Sequence, residues 1–596
     1  MPIYNAPVRD MQFVLYDVLN MGQYSDLEGF GEADRDTVSA ILEEGAKLAQ
    51  EVLQPLNQSG DEEGCHLENG EVTTPKGFKE AYQTYMEGGW SGLTGDPEYG
   101  GQGLPYVLGV LLNEMACAAN FAFSMYPGLT HGAIDAIEQH GSEEQKQLYL
   151  PKLINGEWTG TMNLTEAHSG TDLGLLRTKA EPQPDGSYRL NGTKIFISAG
   201  DHDLTENIIH LVLARLPDAP PGVKGISLFV VPKVLVNPDG SLGEKNKVSC
   251  GSLEEKLGIH GNSTCVMNFD DAVGYLVGEP HKGLRAMFTM MNAARLGVAV
   301  QGLGIADVAY QNAAAYAKER IQGRALTGPK APEQAADPII VHPDIRRMLL
   351  TARAFAESAR AVGCWAGLFV DLSRKHPDAK VREHAEDMLG LLTPVAKAYF
   401  TDMGTLSANL CLQCLGGHGY IREWGMEQFA RDNRVAQIYE GANGIQALDL
   451  VGRKLPANKG RAMQVYFSEI GGFCEANQDN TELAPFIQPV MTSLEHLFEA
   501  GQWLASNGLK NPDHAAAASM DYLYLMALVT QGYMWVRMVK AAQEKLAAGG
   551  GDPQFYQTKL TLARFFMERM LPDTAAHLAK LKAGADTLMA MSEEAF

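Results

Sequence analysis

Glu440 stands between Tyr439 and Gly441 in IYEGANG, after an apolar stretch. A carboxylate there is either a capping or solvated residue, or a general base whose pKa an apolar pocket lifts toward neutrality. MNLTEAHSGTD, from Met162 to Asp172, reads as a strand running into a loop with Thr and Ser capping its turns. KIFIS (194–198) reads as a strand of alternating faces, with Phe196 in the core. Arg320 in AKERIQGRAL reads by itself as half of an i,i+4 surface pair. Cys411 and Cys414 form a CxxC with no second pair at zinc spacing, so two small buried residues on a helix are expected. There is no HExxH and no GxSxG, and the histidines are scattered, so no metal site is expected. GGQG and GGHG lack the spacing of phosphate-binding loops, and nothing points to a Rossmann or P-loop site.

The elements that must position these residues change along the chain. The first ~160 residues read as mostly helical, with Asp34 or Asp36 capping a first helix, Pro55 ending it and Ser142 capping a later one. From 161 to 283 come short apolar runs such as IIHLVLAR and GISLFVVP, broken by the turns PDGS and NPDG. The short connections predict an antiparallel β domain. Long helical patterns return through about 455, and a polar stretch, GRKLPANKGR, precedes a last helical region. The expected partition is an N-terminal extension (1–34), a helical domain (35–160), a β domain (161–283), a helical domain (284–455) and an extra C-terminal helical domain (456–596). The fold class is mostly α with a small central β domain.

Charge narrows the function. Lys plus Arg number 49 against 72 Asp plus Glu, a formal net charge of −23. Such a surface repels nucleic acid and anionic membranes. Eight cysteines in 596 residues are too sparse for a disulfide scaffold. MPIYNAPVRDMQF has no basic start followed by an apolar run, and Tyr522–Val529 is too short to span a bilayer. The expectation is a cytoplasmic protein.

Six segments occur together in one order: PEYGGQGLP (97–105), GSEEQKQLYLPKLINGEW (141–158), NLTEAHSGTDLGLLRTKA (163–180), LNGTKIFISAG (190–200), LGGHGYIREW (415–424) and RDNRVAQIYEGANGIQ (431–446). In these the chain resembles the acyl-CoA dehydrogenases over roughly residues 35–450. The resemblance implies that family's fold, with the C-terminal region as an addition. It also implies FAD as cofactor, an acyl-CoA thioester as substrate and electron-transferring flavoprotein as acceptor. Glu440 takes the place of the catalytic base. Some members carry the base on another helix, but here that position is Ala294, which cannot serve. The thioester oxygen would bond the Glu440 backbone N–H and a ribityl hydroxyl of the flavin.

By the same resemblance, Met162, Leu164 and Thr165 face the flavin's pyrimidine side, and Gly170 and Thr171 approach the pyrophosphate region. Phe196 stacks on the ring, and Ser198 bonds near N5. Arg320 pairs with the pyrophosphate of a neighbouring subunit, and Gln413, Gly416 and Gly417 lie near the adenine. Thr171, Asn292, Arg295, Tyr439 and Glu440 fall on the substrate side. The chain departs from the family pattern at Ala167, His168, Thr171 and Gly323. Ala442 and Gly444 also lack the hydroxyl and amide usual there. Phe123, Met125 and Tyr126, on the helix that floors the acyl pocket in this family, imply a short acyl chain. Medium- or long-chain acyl-CoA is the alternative within the dehydrogenases. An acyl-CoA oxidase and a DNA-associated flavoprotein are the other branches, the last disfavoured by the acidic charge. Many shorter members are tetramers built through third-domain helices. An added helical domain over that surface implies a homodimer.

Overall fold

The computed structural model describes residues 2–596. Local signals set where its helices begin. The Asp34 carboxylate accepts the Thr37 N–H at 2.8 Å and caps α1 (Arg35–Lys47). Gly77, at φ +91°, turns the chain into α2 (Phe78–Glu87). Asp371 takes the N–H groups of Tyr106 (2.8 Å) and Val107 (3.2 Å) at the start of α3 (Tyr106–Ala119). Asn120 caps α4 (Phe121–His140), which continues through Pro127. Ser142 and Gln145 form a capping box on α5 (Glu143–Ile154). The chain divides into two compact units.

One unit comprises Glu44–Leu104 and Met115–Gly297. Its main sheet has seven strands: β1 (Trp158–Asn163), β2 (Lys179–Pro182), β3 (Tyr188–Ser198), β4 (Asn207–Arg215), β5 (Ile226–Pro232), β6 (Val248–Leu253) and β7 (Thr264–Val277). The order is β6-β7-β3-β2-β4-β1, and β5 pairs with both β7 and β4, so five strands close into a ring. The sheet is mixed rather than antiparallel: β1 runs parallel to β4, and β2 touches β4 in parallel. The link from β1 to β4 is long enough for a crossover because it contains β2 and β3. Ile209, Leu211 and Leu213 of β4 pack with Ala133, Ile137, Tyr149 and Leu153 of α4 and α5. Val212 and Ala214 pack with Leu190, Phe229 and Phe269 on the other face. Burial on both faces explains why this strand reads as an unbroken apolar run.

The other unit comprises Met1–Glu43, Pro105–Glu114 and Val298–Phe596. The later part of α6 (Gly283–Glu319) packs here with α7 (Pro343–Lys375) and α8 (Ala379–Cys414). α6 and α8 meet backbone to backbone. A Cβ on Gly302 would lie 2.3 Å from the Phe400 carbonyl oxygen, and one on Gly404 would lie 2.6 Å from that of Gly302. Two short helices follow, α9 (Met426–Arg434) and α10 (Asn443–Asp449). The C-terminal region adds α11 (Arg461–Ala476), α12 (Ala484–Asn507), α13 (Pro512–Ala547), α14 (Pro553–Arg569) and α15 (Asp573–Ala583). α13 and α14 cover α7, whose residues from Ala354 to Leu372 are all buried. The N-terminal extension joins them: Phe13 meets Phe555 edge-on at 5.5 Å, and the Arg9 guanidinium lies 4.2 Å over that ring.

A buried ion network ties this unit together. The Arg360 guanidinium donates to Glu114 at 2.6 and 2.8 Å and to Asp10, and stands 3.5 Å from Asp307. Lys559 of α14 bonds the same Asp10, and Glu357 at 2.5 Å. No helix among the described residues is long and apolar enough to cross a membrane.

Candidate active site

In the sheet unit, a β-bulge opposes Ile195 and Phe196 to Val266 alone. The bulge reverses the strand's alternation. Phe196 therefore points outward, 59% exposed at φ +59°, instead of into the core as its place in the bare strand suggests. Lys194 takes the inward place, fully buried. Its ammonium donates to the Leu164 carbonyl and to Glu166, both at 2.9 Å. Glu166 also accepts the Thr178 hydroxyl (2.6 Å) and the N–H groups of Arg177 and Thr178. Burial works against the Glu166 charge, but Lys194 and the Thr178 hydroxyl outweigh it and hold the carboxyl at about 2. Burial lowers the Lys194 ammonium to about 8 against the pull of Glu166. The Ile195 N–H donates to the Thr165 carbonyl at 2.9 Å. Leu164 and Thr165 are thus held beside the Phe196 bulge.

The turn after Thr165 accommodates its bulky histidine. Glu166 and Ser169 exchange two backbone bonds of 2.9 Å, and the His168 Nε2 rests 3.0 Å from the Leu175 carbonyl oxygen. Gly170 and Thr171 follow, exposed; Met162 and Ser198 are half-buried. On α6, Asn292 is exposed and Arg295 buried. Phe123 and Tyr126 are spent on packing. Phe123 meets the rings of Phe78, Tyr82 and Tyr85, and the Tyr126 hydroxyl donates to the Gly261 carbonyl at 3.2 Å. A short acyl pocket therefore draws no support from those two side chains.

In the helical unit, Glu440 holds φ +55° and Gly441 φ +85°. The surrounding bonds fix this backbone. Gln446 donates to the Glu440 carbonyl at 2.9 Å, and Lys397 to the Gly441 carbonyl at 2.7 Å. Lys397 also donates to the Asn443 side chain at 2.9 Å, whose amide reaches Asp402 (2.8 Å) and the Ala398 carbonyl (3.1 Å). Asn443 and Gln446 so anchor this backbone. The residue before Glu440, Tyr439, donates its hydroxyl to Gln301 on α6 at 2.5 Å. The Gly302–Gly404 approach permits that reach, because α6 can lie directly on α8 there.

Farther along, the Tyr316 hydroxyl sits 2.9 Å from His418 Nδ1, and His418 stacks on Trp424 at 4.6 Å. These contacts bring the Gly416–Gly417 turn to the end of α6, where Arg320 lies. Gln413, Gly416, Gly417 and Arg320 are exposed. Arg320 makes no ion pair among the described residues, so the i,i+4 surface-pair reading does not hold. Cys411 and Cys414 are buried on α8, and burial lifts the Cys414 thiol to about 12. No group of three metal-ligating side chains occurs among the described residues.

Each of these features, taken by itself, suits part of a flavin dinucleotide. An exposed aromatic on a bulge offers a flat apolar face. A Cβ added at Gly416 or Gly417 would meet nothing within 4 Å, so a ligand can approach that backbone closely. Arg320 is a free fork for phosphate oxygens.

Comparison with known proteins gives the family. Residues 35–157, 161–272 and 281–455 match the N-terminal, middle and C-terminal domains of acyl-CoA dehydrogenase. Residues 466–592 match a domain described as acetyl-CoA dehydrogenase C-terminal like. The chain is 42% identical to a 3-methylmercaptopropionyl-CoA dehydrogenase of Ruegeria pomeroyi, over 99% of this chain and all of that one.

The chain belongs to the acyl-CoA dehydrogenase family.

It is an FAD-dependent acyl-CoA dehydrogenase. A butyryl-CoA dehydrogenase of Syntrophomonas wolfei is 35% identical over all of this chain and 99% of that one. The fold is shared with Caenorhabditis elegans ACDH-11, solved in complex with C11-CoA: TM-score 0.79 at 18% identity, over 98% of this chain and 95% of that one. Sequence reasoning missed the residues that hold the site, Glu166, Lys194, Lys397, Asp402 and Gln301. Two of them left a signal. Lys194 falls on the inward parity of its strand, and Lys397 stands alone in the apolar run LLTPVAKAYF. A lysine in such a place needs a buried partner.

Proposed function

We propose that this dehydrogenase oxidises a short acyl-CoA thioester to its 2-enoyl product, 3-methylmercaptopropionyl-CoA being the favoured substrate, with Glu440 as the base. The observation that carries the reading is the Glu440 backbone. A non-glycine residue at φ +55°, fixed by Lys397 and Gln446, is strain that a fold retains where a side chain must be aimed. A Glu440 carboxylate oxygen takes the α-proton of the thioester. The Glu440 backbone N–H donates to the thioester oxygen as negative charge develops there. FAD, when bound, supplies the acceptor for the β-hydride. By the family resemblance, Phe196, Ser198, Met162, Leu164, Thr165, Gly170 and Thr171 would hold it, as would Gln413, Gly416 and Gly417, with Arg320 reaching the cofactor of a second subunit in a homodimer. Thr171, Asn292, Arg295 and Tyr439 would contact the substrate. Electrons would pass to an electron-transferring flavoprotein. Two full-length relatives named for short thioesters support the chain length.

The test assays wild type and Glu440→Gln on a panel of acyl-CoAs with an artificial electron acceptor. Glu440→Gln should retain FAD and lose ~10²–10⁴-fold in kcat or more. Wild-type kcat/KM should peak at butanoyl to pentanoyl size, 3-methylmercaptopropionyl-CoA included, and fall at least ~10-fold at octanoyl-CoA. A Gln variant with a tenth of the activity would sink the base assignment. Equal turnover of octanoyl-CoA would sink the substrate.

A further inference from the structure

The segment bearing Glu440 is tied at both ends to one carboxylate. Gln437, before it, donates to Asp402 Oδ1 at 2.6 Å. Asn443, after it, donates to the same oxygen at 2.8 Å. The other oxygen, Oδ2, accepts the Tyr524 hydroxyl at 2.5 Å. Gln437, Asp402 and Asn443 belong to the part of the chain shared with shorter relatives. Tyr524 does not: it lies on α13, in the added C-terminal domain.

Tyr524 is itself held on two sides. Its ring meets Tyr399 of α8 edge-on at 5.2 Å and lies 5.2 Å from His577 of α15. His577 is fixed in turn by Asp521, 2.7 Å from its Nδ1. The hydroxyl therefore reaches Asp402 from a rigid support. A short bond to a carboxylate oxygen is strong and directional, and it sets the rotation of the carboxylate. That rotation decides where Oδ1 stands, and Oδ1 anchors both ends of the Glu440 segment.

We propose that Tyr524 is a positioning residue for the base, and that through Asp402 the C-terminal helical domain takes part in catalysis. The proposal rests on Glu440 being the base. It gives the added domain a role in the reaction besides covering α7. The base must meet a C–H proton within tenths of an ångström, and a misplacement of ~1 Å costs ~10²-fold in rate.

The test uses full-length, FAD-loaded enzyme. Tyr524→Phe removes one oxygen and keeps the ring contacts. Gln437→Leu loosens the same carboxylate without touching the C-terminal domain. For both, kcat should fall about 5- to 50-fold, with KM within about twofold and flavin content and melting temperature near wild type. The primary isotope effect with α-deuterated butanoyl-CoA should rise, because proton removal becomes more rate-limiting. In the double variant the two losses should fall short of additive, since both act through Asp402. Wild-type kcat and isotope effect in Tyr524→Phe would overturn the proposal. So would a kcat loss that merely follows lost flavin or a lowered melting temperature, or an unaffected Gln437→Leu. Glu440→Gln, assayed alongside, separates the two failures. If that variant stays active, the base itself is misassigned and both readings fall. If it is dead while Tyr524→Phe is normal, only the positioning role falls.

Discussion

Phe196 and Glu440 both hold left-handed backbones, a conformation costing a non-glycine residue about 1–3 kcal/mol. In each case buried lysine bonds over-determine the local chain: Lys194 beside Phe196, and Lys397 beside Glu440. Removing the partner of such a lysine should be costly. Glu166→Gln leaves the Lys194 ammonium buried without a counter-charge, a loss of roughly 3–5 kcal/mol. The sign of the pH effect follows from the carboxylate. Glu166 titrates near 2 in the folded chain and near 4.5 when unfolded. Between those values the unfolded chain binds more protons, so the stabilisation is complete above about pH 4.5 and drains as pH falls toward 2. Glu166→Gln should melt well below wild type at pH 7, and the gap should narrow on acidification below pH 4.5. Thermal melts from pH 7 to 3 check it; a gap that stays constant would mean that Glu166 is not an ionised partner. The family resemblance marked Glu440 and Phe196 as candidates, while the residues alone left Glu440 open and put Phe196 in the core. Neither revealed the bulge, because one extra residue in a strand leaves no mark until its partner strand is known.

At the scale of elements, α7 shows what a sequence reading reaches and where it stops. Its helical pattern and the caps of α1 and α5 were legible, since a cap needs only neighbours a turn away. The network on Arg360 was not. Asp10, Glu114, Asp307, Glu357 and Lys559 come from five different stretches of chain, and only the packed helices bring them to one place. The parallel pairing of β1 with β4 stayed hidden for a like reason. Strand direction depends on the whole path between two strands, not on the turn beside either. Burial lifts Glu114 to about 7 even against the Arg360 cation that opposes it, and Asp307 is raised as well. Arg360→Met would leave Asp10, Glu114 and Asp307 without the guanidinium, at a cost of about 3–5 kcal/mol near neutral pH. The Glu114 and Asp307 carboxyls would then be raised further above their unfolded values. A raised carboxyl contributes stability below its unfolded pKa and loses it as pH rises through the folded one. The deficit should therefore be smaller at pH 5.5 than at pH 8. Melts at the two pH values decide it, and the reverse order would mean that the network does not take up protons.

For the whole molecule, assembly follows from which apolar surfaces the chain covers by itself. The apolar residues of α14 and its C-cap divide: Leu562, Phe566 and Met570 are buried within one chain, Phe555, Leu560 and Phe565 only half-buried, and α7 beneath α13 and α14 is buried along most of its length. The faces that these helices turn to one another are spent within one chain. The loop after Gly416–Gly417 is not closed. Tyr420 is 81% exposed, and Ile421 and Trp424 stand out beside it. An apolar cluster of this size, rigidly based on His418 and Tyr316, fits an interface better than open solvent. It adjoins Arg320, the residue expected to reach a second subunit's cofactor. A dimer through this face would bury the cluster and complete the flavin site together, so the two should be lost together. Wild type should scatter light as a dimer of about 129 kDa, twice the 64.7 kDa chain. Tyr420→Asp places a charge at the centre of the face. It should give a monomer of chain mass at micromolar concentration, with flavin released at least ~10-fold more readily on dilution, while the circular dichroism stays unchanged because Tyr420 lies outside the core. A tetramer in the wild type would mean that the C-terminal helices leave a second face open. A Tyr420→Asp dimer with normal flavin affinity would place the interface elsewhere and remove Arg320 from the shared site.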